Sequence, residues 1–466
     1  MAEQKTDKLL DKLGRKPQNS WDVLGDRGRK QARAFAEDYK AFIDEAKTER
    51  LAAAKIAQIL EAAGFEDLDK GAAGPKVYQV YRGKTVAAAR LEGKELDGLL
   101  MVGSHIDAPR LDLKGNPLYE DSNLALLKTH YYGGIKKYHW LARPLAMYGV
   151  VILADGRQVQ ISFGDADGEP ALYIADLLPH LSQDQNKKRV PEAFTAENLN
   201  VLFGHSPFPE TKGKDRIRLA VLEILNRRYG IVEEDLVSAE LELVPAGKAR
   251  DIGLDGDLIG AYGHDDRCCA YSSLRALLDA RKAGRNLAAL FFDKEEIGSE
   301  GNTGAVGRFM LDFAGELCRL KGDDSERKLR RLLASSEVLS ADVSAALDPN
   351  FPEVHDKRNA ALVGGGLVLT KYTGVRGKAG ASDASAEFVG KIRRLFNKAK
   401  VVWQSAELGR TDLGGGGTIA KFVAMHGAEV LDCGPALLSM HSPCEVLSKA
   451  DLFMTYKGYR TFFEKG

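Results

Sequence analysis

Short apolar runs, several of them ending in a polar turn that carries an acid or a histidine, constrain this chain more than any other feature. The first is Leu96-Asp-Gly-Leu-Leu-Met-Val-Gly-Ser-His105-Ile-Asp107-Ala-Pro109. LAALFFD (287–293), EVLSADV (337–343), ALVGGGLVLT (361–370), AKVVW (399–403) and AEVLDC (428–433) follow. Short runs with so little polar interruption read as strands buried on both faces, the habit of a parallel sheet. Helical stretches lie between several of them, such as Ser272 to Ala283 and Ala384 to Phe396. Alternating β and α units predict an α/β fold, a mostly parallel sheet covered by helices. Upstream, Ala32, Phe35, Ala36, Tyr39, Phe42 and Ile43 recur at spacings of three and four. That period predicts helix over residues 20–63, stopped by Gly64.

Residues 112–248 read differently. Alternating stretches such as Arg157-Gln-Val-Gln-Ile-Ser-Phe163 and Leu241-Glu-Leu-Val244 are separated by turn signals such as Ala154-Asp-Gly-Arg157. The polar segment Gln183 to Arg189 reads as a loop. The expected architecture is therefore one α/β domain, residues 1–111 and 249–466, interrupted by a β-rich unit at 112–248. A chain of 466 residues has room for about three domains. The insertion accounts for the extra length and reduces the count to two, one of them split.

Composition narrows the function classes. With 66 basic and 66 acidic side chains the net charge is zero. A dedicated nucleic-acid binder carries a basic excess, and a membrane-surface binder a polybasic patch. The longest apolar stretch, Pro144 to Ala154, is far short of the roughly 20 residues that span a bilayer. The opening MAEQKTDKLLDKLGRK is charged throughout and has no apolar core, so it does not read as a secretory leader. Five cysteines without a CxxC pair make neither a disulfide framework nor a thiolate zinc site. The expected compartment is the reducing cytoplasm.

Five motifs carry chemistry. Gly103-Ser-His105-Ile-Asp107 offers an imidazole with a carboxylate two residues on, placed to fix the ring. Gly263-His-Asp265-Asp266-Arg267 puts two acids in a turn entering a helix, where a carboxylate can give one oxygen to each of two cations. In Asp293-Lys-Glu295-Glu296 two adjacent glutamates can divide labour, one on a metal and one on water. Ser340-Ala-Asp342 and Ser439-Met-His441-Ser-Pro443 complete the set. Taken singly, each has a plain structural reading: a hydrogen-bonded histidine, a helix cap, a solvated acid pair. Together they terminate strand-like runs, where open α/β sheets bind ligands. A mixed set of histidines and carboxylates suits zinc, with cobalt or manganese as alternatives. A two-metal site needs one bridging carboxylate and about two terminal ligands per ion, the ions roughly 3.5–4 Å apart.

VGSHIDAPRL, GHDDRCCA, DKEEIGSEG, SADVSAALDPN and MHSP resemble the motifs of the aspartyl aminopeptidase / vacuolar aminopeptidase I family of di-zinc metallopeptidases, in order and spacing, over nearly the whole chain. The resemblance implies an α/β peptidase domain interrupted by a β-rich dimerisation domain, assembled into a homo-dodecamer with enclosed active sites acting on peptides. It implies His105 and Asp342 on one metal, Glu296 and His441 on the other, and Asp265 as the bridge. Asp265 is preferred to Asp266 because the family motif places the ligand first. Glu295 would be the general base, taking a proton from the attacking water and passing one to the leaving amine. Asp107 would support His105. His180, in the insertion, corresponds to a histidine that reaches a neighbouring subunit's site; an ordinary surface or interface histidine is the alternative.

Three further features are less specific. Gly414 to Gly417 followed by Thr418 suits an anion-binding helix start, a substrate loop or a tight turn. Lys371 to Lys378 supplies cations for an acidic P1 residue or a solvated basic loop. Asp348 stands where the animal aspartyl enzymes carry His, so P1 preference, acidic or neutral, stays open. The leading reading is a metalloaminopeptidase. A catalytically silent assembly scaffold of the same fold and a di-metal deacylase or phosphoesterase are the alternatives.

Overall fold

Leu99–His105, whose seven residues are all buried, is the axis of the molecule, a computed structural model that describes residues 9–10, 12–92, 95–209, 212–281 and 283–466. The first eight residues, part of the stretch read for a leader, lie outside the described residues, as does Lys282 of the expected helix Ser272 to Ala283. Leu99–His105 pairs in parallel with Asn286–Phe292 on one side and Glu337–Ser340 on the other, and Glu429–Gly434 extends the parallel set. Residues alternate between two cores: Leu100 and Val102 enter one, Leu99 and Met101 the other. Helices Ser20–Glu45, Glu49–Ala62, His264–Asp279 and Lys449–Lys465 contribute to the first core, and Phe309–Leu320 to the second. Burial on both faces is why these strands read as continuous apolar runs.

At its flanks the sheet turns antiparallel, through Lys76–Tyr81 and Thr85–Arg90 at one edge and Leu367–Thr370 at the other. Five of the eight pairings in this nine-stranded sheet are parallel. Register brings the functional ends level. Phe292 pairs with His105, and Ser340 pairs with Gly103, so Asp342 and His105 each stand two residues beyond a matched pair.

Several elements differ from expectation. The stretch 20–63 is two helices, Ser20–Glu45 and Glu49–Ala62. Thr48 caps the second, accepting from the Leu51 N–H at 3.4 Å, and Lys47 turns aside to the Gly247 carbonyl. The apolar period runs across the break, which hides it. The helix Ala386–Ala399 overruns the expected strand 399–403, ends at a left-handed Lys400, and leaves Trp403–Ser405 as the strand. Gly364 and Gly366, both at positive φ, turn the chain inside 361–370, so only Leu367–Thr370 is extended. The helix from His264 ends at Asp279.

A seven-stranded sheet gathers Arg110–Asp121, Leu124–Tyr132, Pro144–Ile152, Gln158–Phe163, Leu172–Tyr173, Val201–Gly204 and Ala239–Pro245. Its strands pair antiparallel, and it carries its own core with helix Arg216–Tyr229. Within Gln183–Arg189 the chain makes a single 3-10 turn at Gln185–Lys187. A third, five-stranded sheet joins Arg250–Ile252, Leu258–Ala261, Glu445–Ser448, Ala436–Leu438 and Ser344–Ala345. It underlies the loops that carry Asp265 and His441. No helix among the described residues is long and apolar enough to cross a membrane.

Candidate functional site

His105 ends its strand, and Asp107 lies two residues beyond. Glu295 and Glu296 follow Asn286–Phe292 in a single 3-10 turn between left-handed Lys294 and Gly298. Asp342 stands two residues past Ser340. Asp265 and Asp266 occupy the first turn after Gly263, itself left-handed, where the backbone is not yet helical. His441, also left-handed, sits between the strands Ala436–Leu438 and Glu445–Ser448.

These ends converge. His105 Nε2 is 3.1 Å from one oxygen of Asp265, and His441 Nε2 is 3.2 Å from the other. His441 Nε2 is also 3.3 Å from Glu296 Oε2, and Glu295 Oε2 lies 3.9 Å from His105 Nε2. Asp342 joins from the far side: donor atoms of His105, Asp266 and Asp342 lie within 4.8 Å of one another, as do those of His105, Asp265 and Glu296. Asp107 is fully buried and acts as a hub. Its Oδ1 is 3.2 Å from His105 Nδ1 and accepts from the Glu295 N–H at 3.1 Å; its Oδ2 accepts from the Glu296 N–H at 3.2 Å.

The electrostatics are those of acids short of counter-charge. Burial pushes Glu296 and Asp342 well above the usual carboxylate range, and neighbouring acids add to it. Burial also pushes Glu295 up to about 7, with Asp107 and Asp265 adding against the pull of the histidines. Burial would lower His441, yet its hydrogen bond to Asp265 and the charge of Glu296 push it up to about 11. Burial opposes ionisation of Asp265, but hydrogen bonds from both histidines hold it far below the ordinary range. The cluster attracts positive charge.

The donors fit zinc. Tetrahedral N and O ligands about 2.0–2.1 Å from zinc are about 3.3–3.4 Å from each other. The observed separations of 3.1–3.3 Å among His105, Asp265, Glu296 and His441 match that edge. Glu296 Oε1, buried without a hydrogen-bond partner, is what a cation would satisfy.

Glu445 and Tyr132 were not singled out from sequence. Glu445, 1% exposed, accepts from the Asp265 N–H at 3.0 Å and the His441 N–H at 2.7 Å, so one carboxylate ties together two loops of the site. An acid inside the apolar run Cys444–Leu447 was the available signal. Tyr132 donates to Asp107 Oδ2 at 2.8 Å and depends on strand register, which left no local signal.

Beside these residues opens a cleft of about 920 Å³. Gly414–Gly417 lines it as a loop, locked to its neighbour by the Gly374 N–H on the Gly416 carbonyl; the helix Ala420–Ala424 begins only later. Thr418 donates to Asp432 at 2.7 Å, anchoring the end of that loop to the sheet. Residues 372–378 line the cleft beside that loop, and there Lys378 pairs with Asp383 and packs on the Tyr372 ring. Asp348 caps its own turn through the Asn350 N–H. His180 does not line this cleft; it sits on an exposed 3-10 turn flanked by exposed Leu177, Leu178 and Leu181.

The sequence profile of the M18 peptidases, described as aminopeptidase I zinc metalloprotease, matches residues 42–463. A relative from Thermotoga maritima, a probable M18 family aminopeptidase 1, is 49% identical over 95% of this chain and 98% of its own. A crystal structure of an M18-family aminopeptidase from Thermotoga maritima superposes with a TM-score of 0.94 at 48% identity, covering 97% of this chain and 100% of that one. A distant fold neighbour, the S. cerevisiae mApe1 dodecamer, has a TM-score of 0.72 at 21% identity over 92% and 96% of the two chains. The chain belongs to the M18 family of aminopeptidase I zinc metalloproteases and is a metallo-exopeptidase that removes residues from peptide N-termini.

Proposed function

We propose that this aminopeptidase works through a co-catalytic pair of divalent cations, zinc in the first place, with cobalt or manganese as substitutes. Asp265 bridges the pair, His105 and Asp342 hold one ion, and Glu296 and His441 hold the other. One observation carries this reading: the two oxygens of a single buried carboxylate, Asp265, turn to two different histidines. When bound, the cations would polarise the scissile carbonyl and acidify water at neutral pH.

Glu295 is the general base. It is buried at the rim of the cluster, and a carboxyl near 7 can both accept a proton from water and return it to the leaving amine. Asp107 holds the His105 ring and, through two N–H groups, the turn that presents Glu295 and Glu296.

Residues 1–111 and 249–466 form the peptidase domain and 112–248 the dimerisation unit, built into a homo-dodecamer that admits peptides and spares folded proteins. The seven-stranded sheet with its own core, and the leucines exposed around His180, support this division. His180 completes a neighbour's site by bonding the substrate carbonyl oxygen. The enzyme works in the cytoplasm, consistent with its five unpaired cysteines. A panel of aminoacyl-p-nitroanilides resolves its P1 preference.

Glu295→Gln tests the centre of the reading. It removes a base and no ligand, so kcat falls roughly 10²–10⁴-fold while metal analysis still finds two ions per chain. Loss of both metals contradicts the assignment. For His180→Ala, kcat drops in an oligomer that sediments normally; an unchanged kcat removes His180 from the site.

A further inference from the structure

A histidine that gives one ring nitrogen to a cation needs a fixed partner on the other, which sets both ring and tautomer. For both histidines those partners trace to one short segment, residues 132–134, at the end of Leu124–Tyr132 in the seven-stranded sheet. On the His105 side, the Tyr132 hydroxyl donates to Asp107 Oδ2 at 2.8 Å, and Asp107 faces His105 Nδ1 with both Oδ1 and its own backbone carbonyl, each at 3.2 Å. On the His441 side, Nδ1 lies 2.9 Å from the Gly134 carbonyl.

The sheet holds this segment in place. Arg110 pairs with Tyr132 in register, so the tyrosine stands beside the chain just past Asp107. The Arg110 guanidinium carbon lies 3.9 Å from the centre of the Tyr132 ring, a cation–π contact that clamps it from above. Burial and the charge of Asp107 push the phenol far above its ordinary range, so the hydroxyl stays a donor at every working pH. Gly134 has no spare room: a Cβ there would stand 3.3 Å from His441 Nδ1.

We propose that residues 132–134 of the seven-stranded sheet set the orientation of both histidines, Tyr132 being a positioning residue that acts on His105 through Asp107 and Gly134 acting on His441 directly. This rests on His105 and His441 being the metal ligands. The nine- and five-stranded sheets then supply the ligands while the seven-stranded sheet aims the two histidines, and a displacement of that sheet reaches both ions at once.

The test uses the full-length protein, zinc titrated against a competing chelator, and kcat and KM measured separately. Tyr132→Phe removes one hydroxyl and weakens one zinc roughly 10–100-fold, lowering kcat with little change in KM. Tyr132→Phe combined with Asp107→Asn binds zinc no worse than Asp107→Asn alone, since the two act in series. Gly134→Ala weakens the other zinc. Wild-type zinc affinity in Tyr132→Phe, or losses that multiply in the double variant, overturns the proposal; a purely structural tyrosine gives the multiplied result. His105→Ala separates the two layers. If it retains both zinc ions, the ligand reading falls and the proposal with it. If it loses one while Tyr132→Phe binds normally, only the proposal falls.

Discussion

Glu49 and Glu242, beside Arg110, are as buried as the acids around Asp265 and differently balanced. At the junction between the nine- and seven-stranded sheets, Arg110 lies 3.3 Å from Glu49, 3.3 Å from Glu242 and 2.8 Å from Asp112. Lys84 lies 3.3 Å from Glu49 and 3.1 Å from Glu240. Burial works against ionised Glu49, but Arg110 and Lys84 hold it down to about 2, whereas burial keeps Glu242 well above the carboxylate range despite Arg110. In the other cluster, Asp107, Asp265, Asp266, Glu295, Glu296, Asp342 and Glu445 are touched, among the described residues, by no side-chain base but His105 and His441, apart from the neutral Tyr132 hydroxyl. The first cluster carries its cations in its own sequence. The second is short of positive charge, the deficit that the proposed cations would fill.

The strongest way to break this contrast is to strip the metal. A chelated enzyme loses activity, and its melting temperature falls further as pH rises. Glu295 and Glu445 reach about 7 and about 8 in the folded state, against 4.5 ordinarily. Between about pH 4.5 and 8 the metal-free fold therefore holds protons that the unfolded chain has released, and stability drops across that window. Below it the penalty is absent. Glu49 has the opposite sign: its stabilisation is full above about 4.5 and is lost as pH falls towards 2. Calorimetry on zinc-loaded and chelated protein should show a steeper neutral-side slope in the latter, because Glu242 and Asp293, which hold no ion, keep their raised values in both forms, and an acid limb in both. Equal melting curves at pH 8 break the contrast.

Arg110→Met attacks the other cluster. It leaves Glu49 and Glu242 buried with a single cation, and urea unfolding of the zinc-loaded enzyme should lose about 3–5 kcal/mol. A loss under about 1 kcal/mol would mean these acids need no partner. Lys84→Met should cost less, about 1–3 kcal/mol, because Arg110 remains on Glu49 and Glu240 is half exposed. A larger loss for Lys84 than for Arg110 reverses the ranking.

The parallel strands were legible because burial on both faces leaves an unbroken apolar run, and the ends of such runs led to His105, Glu295 and Asp342. The five-stranded sheet was not. Its strands Arg250–Ile252 and Ser344–Ala345 are too short for a period to register. The break at Thr48 was masked because both helices keep the same apolar spacing. Tyr132 was unreadable for a different reason: its role follows from pairing with Arg110, and register is a property of two strands at once. Glu445 was half legible, an acid where an apolar residue was due.

The candidate ligands run from His105 to His441, a span of 337 of the 466 residues, and the last of them stands in a loop between two short strands. During synthesis the final helix Lys449–Lys465 emerges after every ligand, and its Phe462 and Phe463 complete the core beneath Leu100 and Val102. Until then neither Glu445 nor His441 has a fixed place, and an ion finds only fragments of its cage. Loading with metal would thus report a chain synthesised past His441. A copy stopped before His441 would lack part of the candidate cage and would be inert as a hydrolase.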